Sequence, residues 1–364
     1  MNKYQHGGDI YSSEKHVFDF SANINPLGMP VEAESSIIKH IDQYNVYPDH
    51  FNRKLTEALA LYLDVPTKEI VVGNGAADLI FRLCLATKPQ KALIIGPTFS
   101  EYEEAVLQSG GQVEYFILEP PFEFDQERNL KDIETKLEGC DLVFLCSPNN
   151  PNGSCVSLET VFQLDSLCKK CGCILVVDQC FVELSSNEEE FSVLKIWESL
   201  SATVILRAFT KSFAMAGVRL GYMVLKNQAL AQKIQGTLQP WPVSSVATWA
   251  GIGALESAMK TNYLKDSKEL ILEQRKYLEE NLKKFGFTVF QGQANFILFY
   301  GEPDSFGDLQ YKMAELGFLI RDCSNFEGLR KGYYRIAVRT PEENQLLIKN
   351  VSKVLGISID EQEI

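Results

Sequence analysis

The stretch that decides the fold is 203–221, TVILRAFTKSFAMAGVRLG. It opens on the apolar run 204–206, which predicts a buried strand, and continues into a polar break that holds Lys211 and then Arg219. An amine at this point can form a Schiff base with an aldehyde, and the guanidinium behind it can bind a phosphate through its fork of N–H donors. The segment by itself favours a plainer interpretation, a surface lysine at a strand end, so the rest of the chain has to decide.

The composition is that of a globular protein of two domains. The chain has 364 residues, of which 45% are hydrophobic and 23% are charged. Its formal net charge of −13 argues against nucleic acid and an anionic membrane as partners, while a local basic cluster can still bind a small phosphorylated molecule. No apolar run reaches the length of a membrane span, and the first residues carry no secretory signal. We therefore predict a cytoplasmic protein.

The nine cysteines are expected to be reduced thiols, because an odd number without a secretory signal is typical of cytoplasmic proteins. Cys168, Cys171 and Cys173 form the cluster CKKCGC, which could suggest a metal knuckle. No second CxxC pair follows, and the four histidines lie far away in the sequence. Since a structural zinc site usually needs four ligands, no metal site is predicted.

Apolar strands alternate with helical patterns over the first part of the chain. Strands are predicted at 69–72, 92–95, 113–118, 141–146, 173–178 and 204–206. Continuous apolar strands separated by helices indicate an α/β domain with a mostly parallel sheet that is covered on both faces.

The pattern changes near residue 240. A long helical stretch, 246–285, is followed by short strands and a closing helix, 341–355, which together indicate an α+β domain. We predict an N-terminal arm, 1–45, that joins this small domain. The large α/β domain is predicted to span 46–240, and the small domain 241–364.

Five residues that can bind or react with a ligand follow the carboxyl ends of predicted strands. They are Gly75, Phe99, Asn150, Asp178 and Lys211. Ligands of such sheets bind outside these ends, so we expect the five residues to share one site.

A pyridoxal phosphate ring at this edge would use these side chains in distinct ways. The carboxylate of Asp178 suits the ring nitrogen, which must stay protonated to withdraw electrons. Asn150 can donate a hydrogen bond to a ring oxygen, and Phe99 can stack on the ring face. Lys211 can hold the aldehyde and shuttle protons.

The phosphate of such a cofactor needs backbone N–H groups and a cation. The segment GNGAAD offers the N–H groups of Gly75, Ala76 and Ala77 where a strand turns into a helix, and Arg219 offers the cation. Alone, this segment is a weak signal, since a tight turn explains it nearly as well. Each residue has such a plain explanation, but all of them in this order make the cofactor site the better interpretation.

Three motifs, SPNNPNG at 147–153, VVDQCF at 176–181 and RAFTKSFAMAGVRLGY at 207–222, stand out along the chain. They resemble the motifs of the fold-type-I, class I/II aminotransferases, and the similarity spans nearly the whole length. The resemblance implies an aspartate aminotransferase-like fold and pyridoxal 5'-phosphate as cofactor. It implies that Lys211 binds the cofactor, that Asp178 is the partner of the ring nitrogen and that Asn150 is the donor to the ring oxygen.

The same resemblance implies further contacts and an assembly. Tyr47 would reach the cofactor phosphate of the neighbouring subunit, which implies a homodimer with shared sites. Thr210 and Arg219 would be cofactor contacts, and Arg335 would bind the α-carboxylate of the substrate.

Within the family the chain looks like threonine-phosphate decarboxylases of cobalamin synthesis. The shared features are the HGG start, DFSANINPLGMP at 19–30 and RDCSNF at 321–326. By this resemblance His6, Asn23 and Arg321 would hold the phosphate of a small phosphorylated amino acid.

Histidinol-phosphate aminotransferases are the alternative. They typically have a glutamate where this chain has Ile24 and a tyrosine where it has Phe181. Decarboxylation needs the bond to the carboxylate perpendicular to the cofactor ring, and amino transfer needs the bond to hydrogen there. The sequence leaves open which bond the site aligns.

Three positions depart from the family pattern. Ala208 replaces a serine or threonine and so loses one phosphate hydrogen bond, worth about 1 kcal/mol. Gln179 replaces the usual glutamate, and Glu327 stands where an arginine is common, which could lower the positive charge near a phosphorylated substrate. None of the three changes Lys211 or Asp178.

Two other classes of function compete with an enzyme. A catalytically silent protein of the same fold could act as a binding module, but the intact Lys211, Asp178 and Asn150 argue against it. A nucleotide-binding α/β protein is the other, and the loop GNGAAD lacks the third glycine of the dinucleotide fingerprint.

Overall fold

A computed structural model describes residues 6–12 and 17–357 of the chain. The helices are α1 Val31–Lys39, α2 Arg53–Leu63, α3 Ala76–Thr87, α4 Glu101–Gln108, α5 Gln126–Lys136, α6 Leu158–Cys171, α7 Glu188–Phe191, α8 Phe209–Ser212, α9 Gln228–Thr237, α10 Ser245–Lys260, α11 Tyr263–Lys284, α12 Pro303–Phe306, α13 Leu309–Glu315 and α14 Pro341–Leu355. The strands are β1 Phe18–Asp19, β2 Ile70–Gly73, β3 Lys91–Gly96, β4 Gln112–Ile117, β5 Leu142–Cys146, β6 Ile174–Asp178, β7 Thr203–Ala208, β8 Gly221–Leu225, β9 Thr288–Val289, β10 Phe296–Tyr300, β11 Phe318–Leu319, β12 Arg321–Asp322 and β13 Tyr333–Ala337.

A seven-stranded sheet, in the order β2-β8-β7-β6-β5-β3-β4, organises the larger part of the chain. Strands β3 to β7 pair in parallel, whereas β8 runs antiparallel to both of its neighbours. The predicted α/β fold with a mostly parallel sheet is confirmed. The sequence analysis missed β8, although the apolar run 222–225 is a local signal for a strand. Its antiparallel direction depends on how the chain returns after Lys211.

The central strands pack on both faces. All of β5 is buried. Val143 and Leu145 join the hydrophobic cluster on one face, and Leu142 and Phe144 join the cluster on the other. Each such side chain contributes about 1.5–3 kcal/mol when it is buried. Two-sided burial explains why this strand is continuously apolar rather than alternating, and it makes the carboxyl edge of the sheet a rigid platform.

Helices α1 and α10 pack closely against each other beside this sheet. Ala33 and Ala250 both belong to its larger hydrophobic cluster, and a Cβ at Gly253 would lie 2.4 Å from the carbonyl oxygen of Glu32. Only glycine allows this approach. Hydrophobic contacts therefore continue across the predicted domain boundaries at 45 and 240, which stay a prediction.

The second sheet, β12-β13-β10-β9, is antiparallel, in keeping with the predicted α+β part. Its hydrophobic cluster joins Phe20 to Leu278 of α11 and Leu347 of α14. Strand β1 pairs in parallel with β11. The segment that follows β1 is thereby fixed to the smaller part of the chain.

The predicted helical stretch 246–285 is wrong in one respect, since α10 and α11 are separate helices. The backbone becomes extended at Thr261, with ψ of 177°, and the Thr261 hydroxyl donates to the carbonyl oxygen of Ser257 at 2.8 Å. Such a side chain competes with the hydrogen bonds of the helix. Helix α5 begins after Asp125, whose side chain accepts a hydrogen bond from the backbone N–H of Arg128 and so caps the helix.

Neither a membrane span nor a metal cluster is found in the part of the chain that the structure describes. No helix there is long and apolar enough to cross a bilayer. No three His, Cys, Asp or Glu side chains of these residues are grouped as metal ligands would be. All nine cysteines are free thiols.

Candidate active site

A cavity of about 340 Å³ opens at the carboxyl edge of the large sheet. Its lining contains most of the residues predicted from the sequence, namely Ala76, Ala77, Phe99, Asn150, Asp178, Thr210, Lys211, Arg219, His6, Asn23, Arg321 and Arg335. Gly75 is the residue before α3 and directly precedes Ala76 of the lining. Tyr47 does not line the cavity. The fold thus collects in one place residues that come from the beginning, the middle and the end of the chain.

Lys211 lies in the short helix α8, directly after β7. Its ammonium group is 5.8 Å from the ring centroid of Phe181. Burial, together with the charges of Arg335 and Arg219, lowers the pKa of Lys211 to about 8. Near neutral pH part of the amine is therefore unprotonated, which is the form that attacks a carbonyl carbon.

Asp178 is buried at the end of β6. One carboxylate oxygen accepts a hydrogen bond from the hydroxyl of Tyr102 at 2.6 Å, and the other accepts one from the backbone N–H of Cys180 at 2.9 Å. Burial raises the pKa of Asp178, while these hydrogen bonds and Lys211 oppose the rise. The carboxylate is fixed in orientation and desolvated, so it can bind a cationic N–H strongly.

Tyr102 is a residue that the sequence analysis missed. It is fully buried, it stacks on Phe144 with ring centroids 4.9 Å apart, and it meets the ring of Phe99 edge-on at 5.7 Å. One side chain therefore supports both the carboxylate of Asp178 and the aromatic ring in the cavity. The sequence feature that could have indicated Tyr102 is its position, since it is an aromatic residue in the first turn of α4 and only three residues after Phe99.

The end of the cavity beside Arg219 suits an anion. Helix α3 begins at Ala76 after Gly75, whose φ is 90°, and the first N–H groups of a helix have no partner within it. A Cβ at residue 75 would lie 2.8 Å from Nη2 of Arg219, so glycine lets the guanidinium lie against the start of the helix. An anion at this point would meet backbone donors and a cation together.

Two arginines reach the cavity from neighbouring strands. Arg321 of β12 and Arg335 of β13 are partners in the antiparallel ladder, so their side chains lie on the same face of the small sheet. Arg335 donates to the carbonyl oxygen of Ser21 at 2.8 Å. Burial, with the charge of Arg321, lowers the pKa of Arg335 to about 10. Two neighbouring guanidinium groups repel each other, so a bound anion would stabilise them.

The two asparagines of the SPNNPNG loop have different tasks. Asn149 fixes the loop, since it accepts a hydrogen bond from the Thr98 hydroxyl at 2.7 Å and donates to the carbonyl oxygen of Pro97 at 2.9 Å. Asn150 lines the cavity, and its Oδ1 accepts a hydrogen bond from Arg335. This contact leaves the NH₂ group of Asn150 to donate to a ligand.

Asn23 and Asn25 also differ. Asn23 is buried in the cavity lining, and its Oδ1 has no hydrogen-bond partner among the described residues. Asn25 donates to the carbonyl oxygen of Ser212 and to the hydroxyl of Ser267, both at 2.8 Å, and its backbone N–H donates to the carbonyl oxygen of Lys211 at 3.2 Å. Asn25 therefore fixes the lysine segment, and Asn23 keeps its amide for a ligand.

Some predicted positions lie outside the cavity. The side chain of Tyr47 is 76% exposed and stacks on Trp241 with ring centroids 4.2 Å apart. Glu327 is exposed, whereas its neighbour Phe326 lines the cavity. The departure at position 327 thus adds no negative charge to the lining. Ala208 does line the cavity, so the missing hydroxyl there is a property of the site.

Gln179 belongs to a buried polar network. Its amide donates to the carbonyl oxygen of Phe191 at 2.7 Å, and its oxygen accepts from the N–H of Val193 at 3.0 Å and from the guanidinium of Arg207 at 3.2 Å. The carboxylate of Glu183 lies 3.8 Å from Arg207, and both side chains are buried. An amide suits position 179 because it donates and accepts at once, and Glu183 supplies the negative charge.

The chain is similar to known proteins over nearly its whole length. The family model for aminotransferase class I and II matches residues 15–351. The threonine-phosphate decarboxylase of Salmonella typhimurium is 32% identical over 96% of both chains. The histidinol-phosphate aminotransferase of Methanococcoides burtonii is 29% identical over 93% of this chain and 90% of its own. The crystal structure of the histidinol-phosphate aminotransferase from Clostridium acetobutylicum superposes with a TM-score of 0.85 at 32% identity, covering 93% of this chain and 98% of that one.

The Glu183–Arg207 pair provides a test of the buried network. Glu183→Gln is expected to lower the free energy of unfolding by about 3 kcal/mol, because it leaves a buried guanidinium without a carboxylate. Adding Gln179→Glu should restore part of the loss, since residue 179 already contacts Arg207; the recovery is incomplete because the amide donor to Phe191 is lost. Denaturant unfolding of the two single variants and the double variant measures this. A double variant no more stable than Glu183→Gln would contradict the charge-pairing explanation.

Proposed function

The chain belongs to the aminotransferase class I and II family, and we propose that it is a pyridoxal-phosphate-dependent enzyme that acts on a small phosphorylated amino acid. The favoured reaction is the decarboxylation of L-threonine O-3-phosphate, and the alternative is amino transfer with histidinol phosphate. The observation that carries the proposal is that one cavity holds Lys211 and Asp178 together with the paired cations Arg321 and Arg335.

The donors that line the cavity suit pyridoxal phosphate. The N–H groups of Ala76 and Ala77 and the guanidinium of Arg219 would hold its phosphate, with Thr210 as a further donor. Gly75 leaves the room that this arrangement needs, because a Cβ there would collide with Arg219. When bound, the cofactor supplies an electron-withdrawing ring that weakens the bonds at the α-carbon of an amino acid.

Lys211 and Asp178 divide the acid–base work. Asp178, held by Tyr102 and by the N–H of Cys180, would keep a proton on the cofactor nitrogen, because its carboxylate is buried and fixed in orientation. Lys211 has a pKa of about 8, so its Nζ can both release and accept a proton near neutral pH. Phe99 would cover the ring face, and Asn150 would donate to the ring oxygen.

The arginines set the substrate class. Arg335 would bind the α-carboxylate, while Arg321, Asn23 and His6 would hold the phosphate. A unit charge 4 Å from a cation gains about 4 kcal/mol at an effective dielectric constant of 20. A substrate with two anionic groups therefore uses this cavity better than a neutral amino acid does.

Two features favour decarboxylation over amino transfer. The relative from Salmonella typhimurium carries the name of the decarboxylase and matches over 96% of both chains. Phe181 packs edge-on against Phe296 at 5.0 Å and offers no hydroxyl where the aminotransferases typically have tyrosine. Asn150 is then the side-chain donor that this wall of the cavity offers to the ring oxygen.

An assay with two substrates tests the proposal. Purified protein loaded with pyridoxal phosphate is expected to release carbon dioxide and aminopropanol phosphate from O-phospho-L-threonine. It should form little glutamate from histidinol phosphate and 2-oxoglutarate. Lys211→Ala should abolish turnover, because it removes the amine that moves protons at the α-carbon.

The two reactions exclude each other as the main activity. Amino transfer without carbon dioxide release would establish the alternative. Turnover of neither compound, with the cofactor bound, would contradict the proposed substrate class. Full activity of Lys211→Ala would contradict the enzyme mechanism itself.

Tyr102→Phe tests how Asp178 is held. Loss of one hydrogen bond to a buried carboxylate is expected to weaken cofactor binding about tenfold. Tyr263→Phe is the matched control, because the Tyr263 hydroxyl donates to the carbonyl oxygen of Gly28 and the residue does not line the cavity. Equilibrium dialysis of pyridoxal phosphate measures both. Equal affinities in the two variants would show that Tyr102 does not act through Asp178.

A homodimer with shared sites completes the proposal. Several apolar side chains at the end of α1 and between α1 and α2 are more than half exposed, namely Ile38, Ile41, Val46, Tyr47 and Phe51. Exposed apolar groups that lie together are typical of an interface. Tyr47 is absent from its own cavity lining, which agrees with a role in the partner's site. A cytoplasmic location is part of the same proposal, and the nine free thiols are in keeping with it.

Mixing two inactive variants tests the shared site. Lys211→Ala and Tyr47→Ala should each lose most activity, whereas a mixed dimer contains one site with both residues intact. Activity should therefore return when the two are unfolded and refolded together, and light scattering should give the mass of a dimer. A monomer in solution, or no recovery on mixing, would contradict the shared site.

A further inference from the structure

Glu101 is a second acid, besides Asp178, in a cavity lining that also contains Lys211, Arg219, Arg321 and Arg335. It is only 9% exposed, and it stands at the start of α4 between Ser100 and Tyr102. Its Oε1 lies at the ion-pair distance of 2.9 Å from Nε2 of His6, and this oxygen accepts no hydrogen bond from the described residues. A buried carboxylate here needs an explanation, since the proposed substrate is an anion.

His6 belongs to a segment, 6–12, that is fixed elsewhere through its backbone. The N–H of Gly8 donates to the Ser21 hydroxyl at 2.7 Å, and a Cβ at Gly7 would lie 2.4 Å from the carbonyl oxygen of Ser21. The imidazole itself is about half exposed and contacts Glu101 and the ring of Phe99, whose centroid is 6.0 Å away. The segment thus contacts both Ser21, which follows β1, and Glu101 of α4, and all three line the same cavity.

The two side chains depend on each other. A carboxylate with no partner in this cavity would repel a phosphate or a carboxylate of the substrate. A half-exposed histidine with no polar contact would not stay in one rotamer, because no interaction would offset the entropy that is lost when the side chain is fixed. Together the pair removes the repulsion and fixes the ring. Nε2 faces the carboxylate, which leaves Nδ1 to meet a ligand.

We propose that Glu101 is a specificity-determining positioning residue, which holds His6 over the cavity so that the imidazole can donate to an anionic group of the phosphorylated substrate. The inference rests on the proposed function and adds to it a residue through which His6 acts. The side of the imidazole that carries Nε2 faces Glu101 at 2.9 Å, so Nδ1 is the ring atom that is placed for the substrate.

A double-variant cycle tests the dependence. Glu101→Gln is expected to raise the KM for O-phospho-L-threonine about fivefold with kcat nearly unchanged, as for loss of a partly exposed ion pair. His6→Asn should raise the KM more, about tenfold, because it also leaves the carboxylate without a partner. The double variant should then have a KM no higher than that of His6→Asn. Effects that multiply, to about fiftyfold, would mean that the two residues act separately and would overturn the proposal.

Glu104→Gln is the matched control. Glu104 lies in the same helix, accepts a hydrogen bond from Gln108 at 2.9 Å and is not part of the cavity lining. The Glu104→Gln variant removes the same charge as Glu101→Gln, so a general electrostatic effect on the KM would appear in both variants. The KM should stay at the wild-type value, and the affinity for pyridoxal phosphate should stay the same in Glu101→Gln. An equal rise of KM in both variants would overturn a specific role for Glu101.

Hydrogen exchange separates this inference from the substrate assignment, because it needs no substrate. The amide of Gly8 should exchange faster in Glu101→Gln than in the wild type or in Glu104→Gln, since the segment has lost its contact with α4. If the wild type does not turn over O-phospho-L-threonine but the exchange changes in this way, the proposed reaction fails and the positioning role stands. Unchanged exchange would show that Glu101 does not hold the segment.

Discussion

The structure depends on an excess of positive charge that the fold gathers in one cavity. Lys211, Arg219, Arg321 and Arg335 all face it, and burial lowers the pKa of Lys211 to about 8 and that of Arg335 to about 10. Such a cluster is unfavourable without anions, because each charge has lost solvent and repels its neighbours. The cluster therefore favours anionic ligands, and the proposed function has one anionic group beside α3 and another beside the small sheet.

The cluster can exist because rigid elements hold each charge. Two-sided packing of the central strands fixes their carboxyl ends, and Asp178 is placed by β6. The chain returns from β7 through β8 in the antiparallel direction, which brings Arg219 against the start of α3. The ladder between β12 and β13 sets Arg321 beside Arg335. No single segment could achieve this, since the charges come from two sheets.

Several residues that do not react themselves fix the position of the reactive side chains through hydrogen bonds. Tyr102 binds the carboxylate of Asp178, and Asn25 fixes the backbone around Lys211. Gln179 and Glu183 share the buried guanidinium of Arg207 between an amide and a carboxylate. In each case a buried polar group has a hydrogen-bond or ion-pair partner. Leaving such a group without a partner would cost free energy, so arrangements that break these pairs are less stable.

The sequence by itself determined six of the seven strands of the large sheet, its α/β class and the residues at the strand ends, because these depend on local periodicity and on loop chemistry. It did not give the antiparallel direction of β8, the break at Thr261 or the contacts of Tyr102, Asn25 and Glu101. Those rest on contacts between segments far apart in the chain, and no local pattern encodes the partner of a side chain. The tertiary structure alone decided which polar groups face the cavity and which are satisfied by their neighbours, since pairing of buried groups is settled only when the elements pack.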